Sequence, residues 1–167
     1  MKVVPTSQQT KFLKQYTLKQ TIFPPNFVLL QDTREARPLF TRIPKGLTVM
    51  SKCLKYGDYS ILGFEDKFCV ERKASDIYSY CGVERDKTVK KMNEFKKMDF
   101  VGLSIEGKES ELYQYQQFSK LHPESLRGAL ISFQVRSHVH LYIGNRENCI
   151  RVLLDWAVKY YNVMKEV

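Results

Sequence analysis

The sequence lacks the patterns that mark several common classes of protein. Its 167 residues include four cysteines but no Cys-x-x-Cys pair, so the spacing of a zinc finger is absent. No apolar run approaches the roughly 20 residues that cross a bilayer, and the N-terminus has no apolar signal-peptide core. Histidine occurs only three times. These absences argue against a zinc-finger protein and against a membrane protein.

Acidic residues are also few. The chain has 18 Asp and Glu against 27 Lys and Arg, which gives a formal net charge of +9. A surplus of this size favours polyanionic partners such as nucleic acid, because each cation near a phosphate releases condensed counterions. The alternative is a solvated basic surface with no such partner, and charge alone does not separate the two.

The cysteines bear on the cellular compartment. Cys53 and Cys69 lie within apolar runs, which is typical of buried thiols in a reducing environment. We therefore expect an intracellular protein that is not secreted, either cytoplasmic (nucleoid-associated) or nuclear.

Composition divides the chain into two parts. Residues 1–26 are rich in Gln, Thr and Lys and end in Phe23-Pro24-Pro25-Asn26, where the two prolines terminate any helix. We interpret residues 1–26 as an N-terminal accessory arm and residues 27–167 as one domain, which is long enough to bury a core.

Strand and helix patterns alternate along this domain. Ser75 is a candidate helix N-cap, with Asp76 in the first helical turn. Periodicity predicts strands at 27–30, 48–54, 59–64, 68–72, 100–106 and 139–143, and helices at 86–98, from 123 onwards and at 146–163. Several strands followed by alternating strands and helices indicate an α/β fold with a mixed central sheet flanked by helices.

The chemistry is concentrated around the strand at 68–72. Side chains alternate along a strand, so Glu71 and Lys73 share one face, while Arg72 points to the other and is placed to clamp a carboxylate or phosphate. If residues 65–67 form a hairpin loop, Asp58 meets Glu71 at one end of it, and Asp32 can bring a third carboxylate. Oxygen ligands of this kind suit Mg²⁺. Taken alone, Glu71 and Lys73 are better explained as an exposed ion pair of little energetic weight, and only the larger set of residues changes that interpretation.

The larger set of residues resembles a known family, the XPF-like structure-specific endonucleases. Their signature is Gly-Asp followed at a distance by Glu-Arg-Lys-x-x-x-Asp. The matching residues are Gly57-Asp58, Glu71-Arg72-Lys73 and Asp76, although only two residues separate Lys73 from Asp76 here. Residues 32–35 resemble the first acidic motif of the family, and residues 100–107 its later apolar strand ending in Glu-Gly. The resemblance covers roughly residues 27–163.

The resemblance implies a restriction-endonuclease-like three-layer fold and Mg²⁺- or Mn²⁺-dependent cleavage of DNA near branches or single-strand/double-strand junctions. It implies that Asp58 and Glu71 bind the metal with support from Asp32. It further implies that Lys73 assists the attacking water, and that Arg72 and Asp76 complete the catalytic group.

Several cations are candidates for DNA contact. Arg85 matches an Arg that the family carries at the start of the next helix, although Glu84 stands where a Gly is usual. Five lysines follow the helix at 86–98, and a phosphate-tracking surface and a solvated helix face explain them equally well. The five are Lys87, Lys90, Lys91, Lys96 and Lys97. The residues predicted to bind DNA are Arg34, Arg37, Lys52, Lys55 and Arg85.

The chain departs from larger family members in one respect. They follow the nuclease domain with helix-hairpin-helix modules that grip DNA and dimerise, and we expect this chain to be a nuclease domain without them. It would then act alone, as a homodimer or with a DNA-gripping partner chain. Two other functions stay open: a non-catalytic DNA-binding or scaffolding subunit that retains the nuclease fold, and an enzyme acting on RNA or on sequence-specific duplex DNA.

Overall fold

A six-stranded mixed sheet forms the centre of the domain, as predicted. The computed structural model describes residues 21–166. The strands are β1 (Val28–Asp32), β2 (Thr48–Lys52), β3 (Tyr59–Ile61), β4 (Phe68–Lys73), β5 (Phe100–Glu106) and β6 (Val139–Gly144). They lie in the order β2-β1-β3-β4-β5-β6.

Strand direction decides where the polar residues meet. β3 is antiparallel to both of its neighbours, β1 and β4, so these two run in the same direction. β2, β5 and β6 are parallel to their own neighbours and share that direction. Five strands therefore end, and β3 begins, at one edge of the sheet. We call it the carboxyl edge, and it carries Asp32, Asp58, Glu71, Lys73 and Glu106.

Helices cover both faces of the sheet. They are α1 (Ile77–Cys81), α2 (Arg85–Phe95), α3 (Glu109–Leu112), α4 (Pro123–Ser137) and α5 (Arg146–Lys165). One apolar core joins α1, α2 and α4 to β4, β5 and β6, while the other joins α5 to β1, β3 and β4. The result is the three-layer arrangement that was predicted.

One glycine allows α5 to lie close to the sheet. Gly102, in β5, packs under the ring of Trp156, and a Cβ at this position would lie 2.6 Å from the Trp156 ring. A larger residue would push α5 away from the central strands and open the core on that face.

Some local predictions were wrong. The N-cap position of the first helix is Asp76 rather than Ser75, and its carboxylate accepts a hydrogen bond from the main-chain N–H of Ala74 at 2.6 Å instead of capping the helix. Cys69 is buried as predicted, but Cys53 is exposed because it follows β2, which is an edge strand.

The predicted accessory arm is described only in part. Residues 1–20 lie outside the described residues, and within 21–26 the ring of Phe23 stacks on Phe27 with centroids 6.0 Å apart. Between residues 21 and 166, every helix is too short or too polar to cross a bilayer.

Candidate active site

A tight turn delivers Asp58 to the carboxyl edge. Gly57 has φ of +67°, and a Cβ there would lie 2.9 Å from Cβ of Cys69 and 3.0 Å from the carbonyl oxygen of Val70. Only glycine meets both demands without strain. Next to it, the Asp58 N–H donates to the Val70 carbonyl at 2.9 Å, and Oδ2 of Asp58 accepts from the Arg72 N–H at 2.7 Å. These bonds fix Asp58 beside the end of β4.

Glu71 and Lys73 share one face of β4, as alternation predicts. Nζ of Lys73 lies 2.8 Å from Oε1 of Glu71 and 3.6 Å from Asp76. The Glu71 side chain is only 2% exposed and that of Lys73 only 13%. The Lys73 ammonium also lies 4.9 Å from the centroid of the Tyr80 ring, which adds a cation–π contact. Together these contacts hold the ammonium against a buried carboxylate.

The charge of Glu71 affects the ionisation of Asp58. Burial and the nearby charge of Glu71 raise the pKa of Asp58 to about 7. Burial alone would lower the pKa of Lys73, but the charges of Glu71 and Asp58 outweigh burial, and the pKa is raised. Lys73 is therefore a fixed positive charge at neutral pH, while Asp58 is poised near its titration point.

Arg72 points to the opposite face and clamps carboxylates there. Its guanidinium lies 2.6 Å from Glu106, at the end of β5, and 3.7 Å from Glu35. Glu106 is also 3.2 Å from Arg146, whose guanidinium donates to the main-chain carbonyls of residues 38 and 39. This network ties β4, β5 and the start of α5 together behind the Asp58 and Glu71 side chains.

Asp32 lies at the same edge of the sheet, but its carboxylate is fully occupied. It accepts hydrogen bonds from the Arg34 main-chain N–H, from the Arg34 side chain at 3.0 and 2.6 Å, and from the Leu54 N–H at 3.2 Å. The Arg34 side-chain hydrogen bond is the main reason that the pKa of Asp32 is lowered. To bind a metal, Asp32 would have to release Arg34, and its role as a ligand stays a prediction.

The donor set fits a hard divalent cation. Mg²⁺ in enzymes is commonly held by one or two carboxylates, with water and substrate phosphate completing its shell. Asp58 and Glu71 supply two carboxylates, and the raised pKa of Asp58 marks a negative charge that a cation would stabilise. In the part of the chain that the structure describes, no three or more His, Cys, Asp or Glu side chains are grouped to hold a metal.

The comparison with known proteins agrees with this geometry at the level of the fold. No family profile matches the chain, and no curated protein matches it in sequence. Among solved structures, XPF from Aeropyrum pernix superposes with a TM-score of 0.60 at 18% identity, over 80% of this chain and 61% of that one. The same protein in complex with DNA gives a TM-score of 0.59 at 20% identity, over 81% and 64% of the two chains. The chain has an XPF-like fold.

This XPF-like fold also brings a residue to the site that the motif does not include. Lys91, on α2, places Nζ 2.6 Å from Oε2 of Glu71, so an ammonium occupies each oxygen of that carboxylate. In the sequence, Lys91 is one of five lysines along a helix, 20 positions from Glu71. The only available signal was its place one residue before the buried Met92, at the border of the apolar stripe.

The predicted DNA-binding cations lie on different parts of the domain. Arg34 follows β1 and donates to the Leu54 carbonyl, and Lys55 covers the Tyr56 ring. Lys52 ends β2 but pairs with Glu65, in the turn between β3 and β4, at 2.6 Å. Arg85 starts α2, and Arg37 is exposed and donates its main-chain N–H to the Glu35 carboxylate. The five cations therefore do not form one patch at the carboxyl edge.

Proposed function

We propose that this chain is a divalent-metal-dependent endonuclease that hydrolyses DNA phosphodiester bonds near branches or single-strand/double-strand junctions. The observation that carries the proposal is the meeting of Asp58, Glu71 and Lys73 at one edge of the sheet, with Glu71 almost fully buried. The XPF-like fold supports it, and one of the similar structures is an XPF in complex with DNA.

Asp58 and Glu71 are the residues that would hold Mg²⁺ or Mn²⁺. Once bound, the cation would lower the pKa of a water and offset charge on the phosphate. The backbone N–H of Arg72 keeps Asp58 oriented through Oδ2, and the buried position of Glu71 limits its rotation. Both carboxylates are therefore preorganised.

Lys73 supplies positive charge to the reacting phosphate. Since its pKa is raised, Lys73 is an ammonium at neutral pH and is better suited to stabilising a developing oxyanion than to accepting a proton. The exposed carboxylate of Asp76 lies 3.6 Å from Nζ and limits the movement of the ammonium on its solvent side. Arg72 contributes from the opposite face, by fixing the end of β4 through Glu106.

The predicted DNA-binding cations would receive the DNA backbone. Arg34, Arg37, Lys52, Lys55 and Arg85 are all exposed. Contacts of this kind position a duplex without reading its sequence, which suits recognition of DNA shape.

A substrate panel tests the proposal. Purified protein is incubated with labelled flap, fork and four-way-junction DNA, and with plain duplex, single-stranded DNA and RNA, in Mg²⁺, Mn²⁺ or EDTA. We expect metal-dependent cuts in the branched DNA that are strongest near the junction. Binding of branched DNA without cleavage under any condition would instead identify a scaffolding subunit. Preferential cleavage of RNA or plain duplex would overturn the substrate class.

A further inference from the structure

Glu71 is held by two ammonium groups that differ in mobility. Lys73 lies on the same strand, is 13% exposed and has a second acidic neighbour in Asp76. Lys91 reaches across from α2 to Oε2 at 2.6 Å, and its side chain is 35% exposed. Of the two, Lys91 has the freer path to solvent.

The position of Lys91 follows from the packing of α2. Thr88, Met92 and Phe95 are buried and fix the rotation of the helix, which places Lys91 at the border between core and solvent. From there its side chain passes the rings of Phe95 and Tyr80, with Nζ 5.7 and 6.0 Å from the two ring centroids. These rings stabilise the cation along an apolar wall, but neither donates or accepts a hydrogen bond that would lock it.

Each carboxylate oxygen of Glu71 thus has an ammonium partner. An ion that binds either oxygen of this carboxylate would lie close to an ammonium group unless that group moves away. An ammonium and a metal cannot share the same oxygen at close range without strong like-charge repulsion. The more exposed group is the one that can leave at lower cost.

We propose that Lys91 competes with the divalent ion for Oε2 of Glu71, acting as an internal cation that occupies this oxygen until the ion displaces it. The proposal rests on the function proposed above. It assigns Lys91 a positioning role that sets the affinity of the site for metal. Lys91 keeps the buried Glu71 neutralised in the metal-free protein, and the ion must overcome that pairing in order to bind.

Calorimetric titration of Mn²⁺ into the full chain, without DNA, tests the competition. Lys91→Gln and Lys91→Met both remove the ammonium, and Glu71 keeps Lys73 as a partner in each. We expect both variants to bind Mn²⁺ at least about threefold more tightly than wild type. Lys90→Gln, an exposed neighbour on the same helix, removes the same net charge and should change the affinity much less.

The source of the gain is checked by adding Glu71→Gln to Lys91→Gln. If Lys91 acts through Oε2, the double variant binds Mn²⁺ no more tightly than Glu71→Gln alone. Thermal unfolding in EDTA verifies that each variant is folded, and Lys91→Met retains the apolar stem of the lysine if Lys91→Gln is unstable. Unchanged or weaker binding in both Lys91 variants, or a gain that survives Glu71→Gln, overturns the inference.

The outcomes separate this inference from the proposed function. If wild type cleaves DNA with Mn²⁺ but the Lys91 variants bind Mn²⁺ no more tightly, only the competition is wrong. If the Lys91 variants gain affinity through Glu71 but no variant cleaves any DNA, the competition stands and the nuclease assignment fails. Absence of Mn²⁺ binding in every variant contradicts both.

Discussion

The guanidinium of Arg72 and the carboxylate of Glu106 join the ends of two neighbouring parallel strands, with the nitrogen and oxygen 2.6 Å apart. The Arg72 side chain is only 8% exposed, and it points away from the face that carries Glu71 and Lys73. One face of β4 therefore holds the candidate chemistry, while the other face anchors the strand end that presents it.

Loss of the Glu106 charge is expected to destabilise the protein. In Glu106→Gln, the buried Arg72 keeps only the more distant Glu35, so we expect unfolding free energy to fall by about 1–3 kcal/mol. Glu111→Gln removes a carboxylate from an exposed ion pair with Lys108, and should cost much less. Urea unfolding of both variants measures the difference, and equal losses would contradict an anchoring role for the Arg72–Glu106 pair.

Gly57 is expected to tolerate no side chain. In Gly57→Ala, a residue with positive φ gains a Cβ that lies 2.9 Å from Cys69. We expect the unfolding free energy to fall by about 2–4 kcal/mol and Asp58 to be displaced. Gly63→Ala is the matched control, since Gly63 has φ of +86° but nothing within 4 Å of the added Cβ. The unfolding free energy of Gly63→Ala should fall by only about 1–2 kcal/mol, which is the cost of a positive φ in a residue with a Cβ. Similar losses in the two variants would show that the contact with β4 has no energetic weight.

Asp58 makes the stability of the metal-free protein depend on pH. Because the pKa of Asp58 is raised from 3.8 to about 7, the folded state binds more protons than the unfolded state between these values. The contribution of Asp58 to the unfolding free energy is therefore fully present at low pH and is lost as the pH rises towards 7. The unfolding free energy falls by at most about 1.4 kcal/mol per pH unit over this range.

Asp58→Asn should remove this dependence. In EDTA, the stability of the variant relative to wild type is expected to rise between pH 4 and pH 7, as measured by denaturant unfolding at several pH values. Asp66→Asn, in the exposed turn between β3 and β4, provides the control. A constant difference between Asp58→Asn and wild type across this range would contradict the raised pKa.

Much of the fold was predictable from periodicity. β5 matches the predicted strand at 100–106 at both ends, and α5 begins at the predicted Arg146. Alternation along β4 correctly separated Arg72 from Glu71 and Lys73, because a strand with two buried faces still sends neighbouring side chains to opposite sides.

Side-chain pairing across the fold was not predictable. The contact between Lys91 and Glu71 depends on how α2 is rotated against the sheet, which buried residues such as Met92 decide only in three dimensions. Likewise, Asp32 and Arg34 are close in sequence, but only the turn after β1 brings the guanidinium back onto the carboxylate. Patterns of spacing identify the strand that carries a carboxylate, but not the cation that reaches it.

Loss of Lys73 is expected to slow cleavage without abolishing metal binding. Lys73→Met should reduce the rate of cleavage by about 10²- to 10⁴-fold, because the charge next to the reacting phosphate is lost. Mn²⁺ binding should persist, since Asp58 and Glu71 are intact and Lys91 still neutralises Glu71. Calorimetry and cleavage rates on the same preparation test this separation. Loss of metal binding in Lys73→Met would show that Lys73 is needed to build the metal site.

The single-turnover rate of cleavage of a forked DNA, with and without Mn²⁺, tests the central proposal most directly. We expect wild type to cut only in the presence of the metal, and Asp58→Asn and Glu71→Gln each to lose at least about 10³-fold in rate. Asp66→Asn and Glu84→Gln, which change exposed acids outside the candidate site, should cut at the wild-type rate. Cleavage by wild type in EDTA, or cleavage at the full rate by either Asp58→Asn or Glu71→Gln, would contradict a metal-dependent nuclease site at these carboxylates.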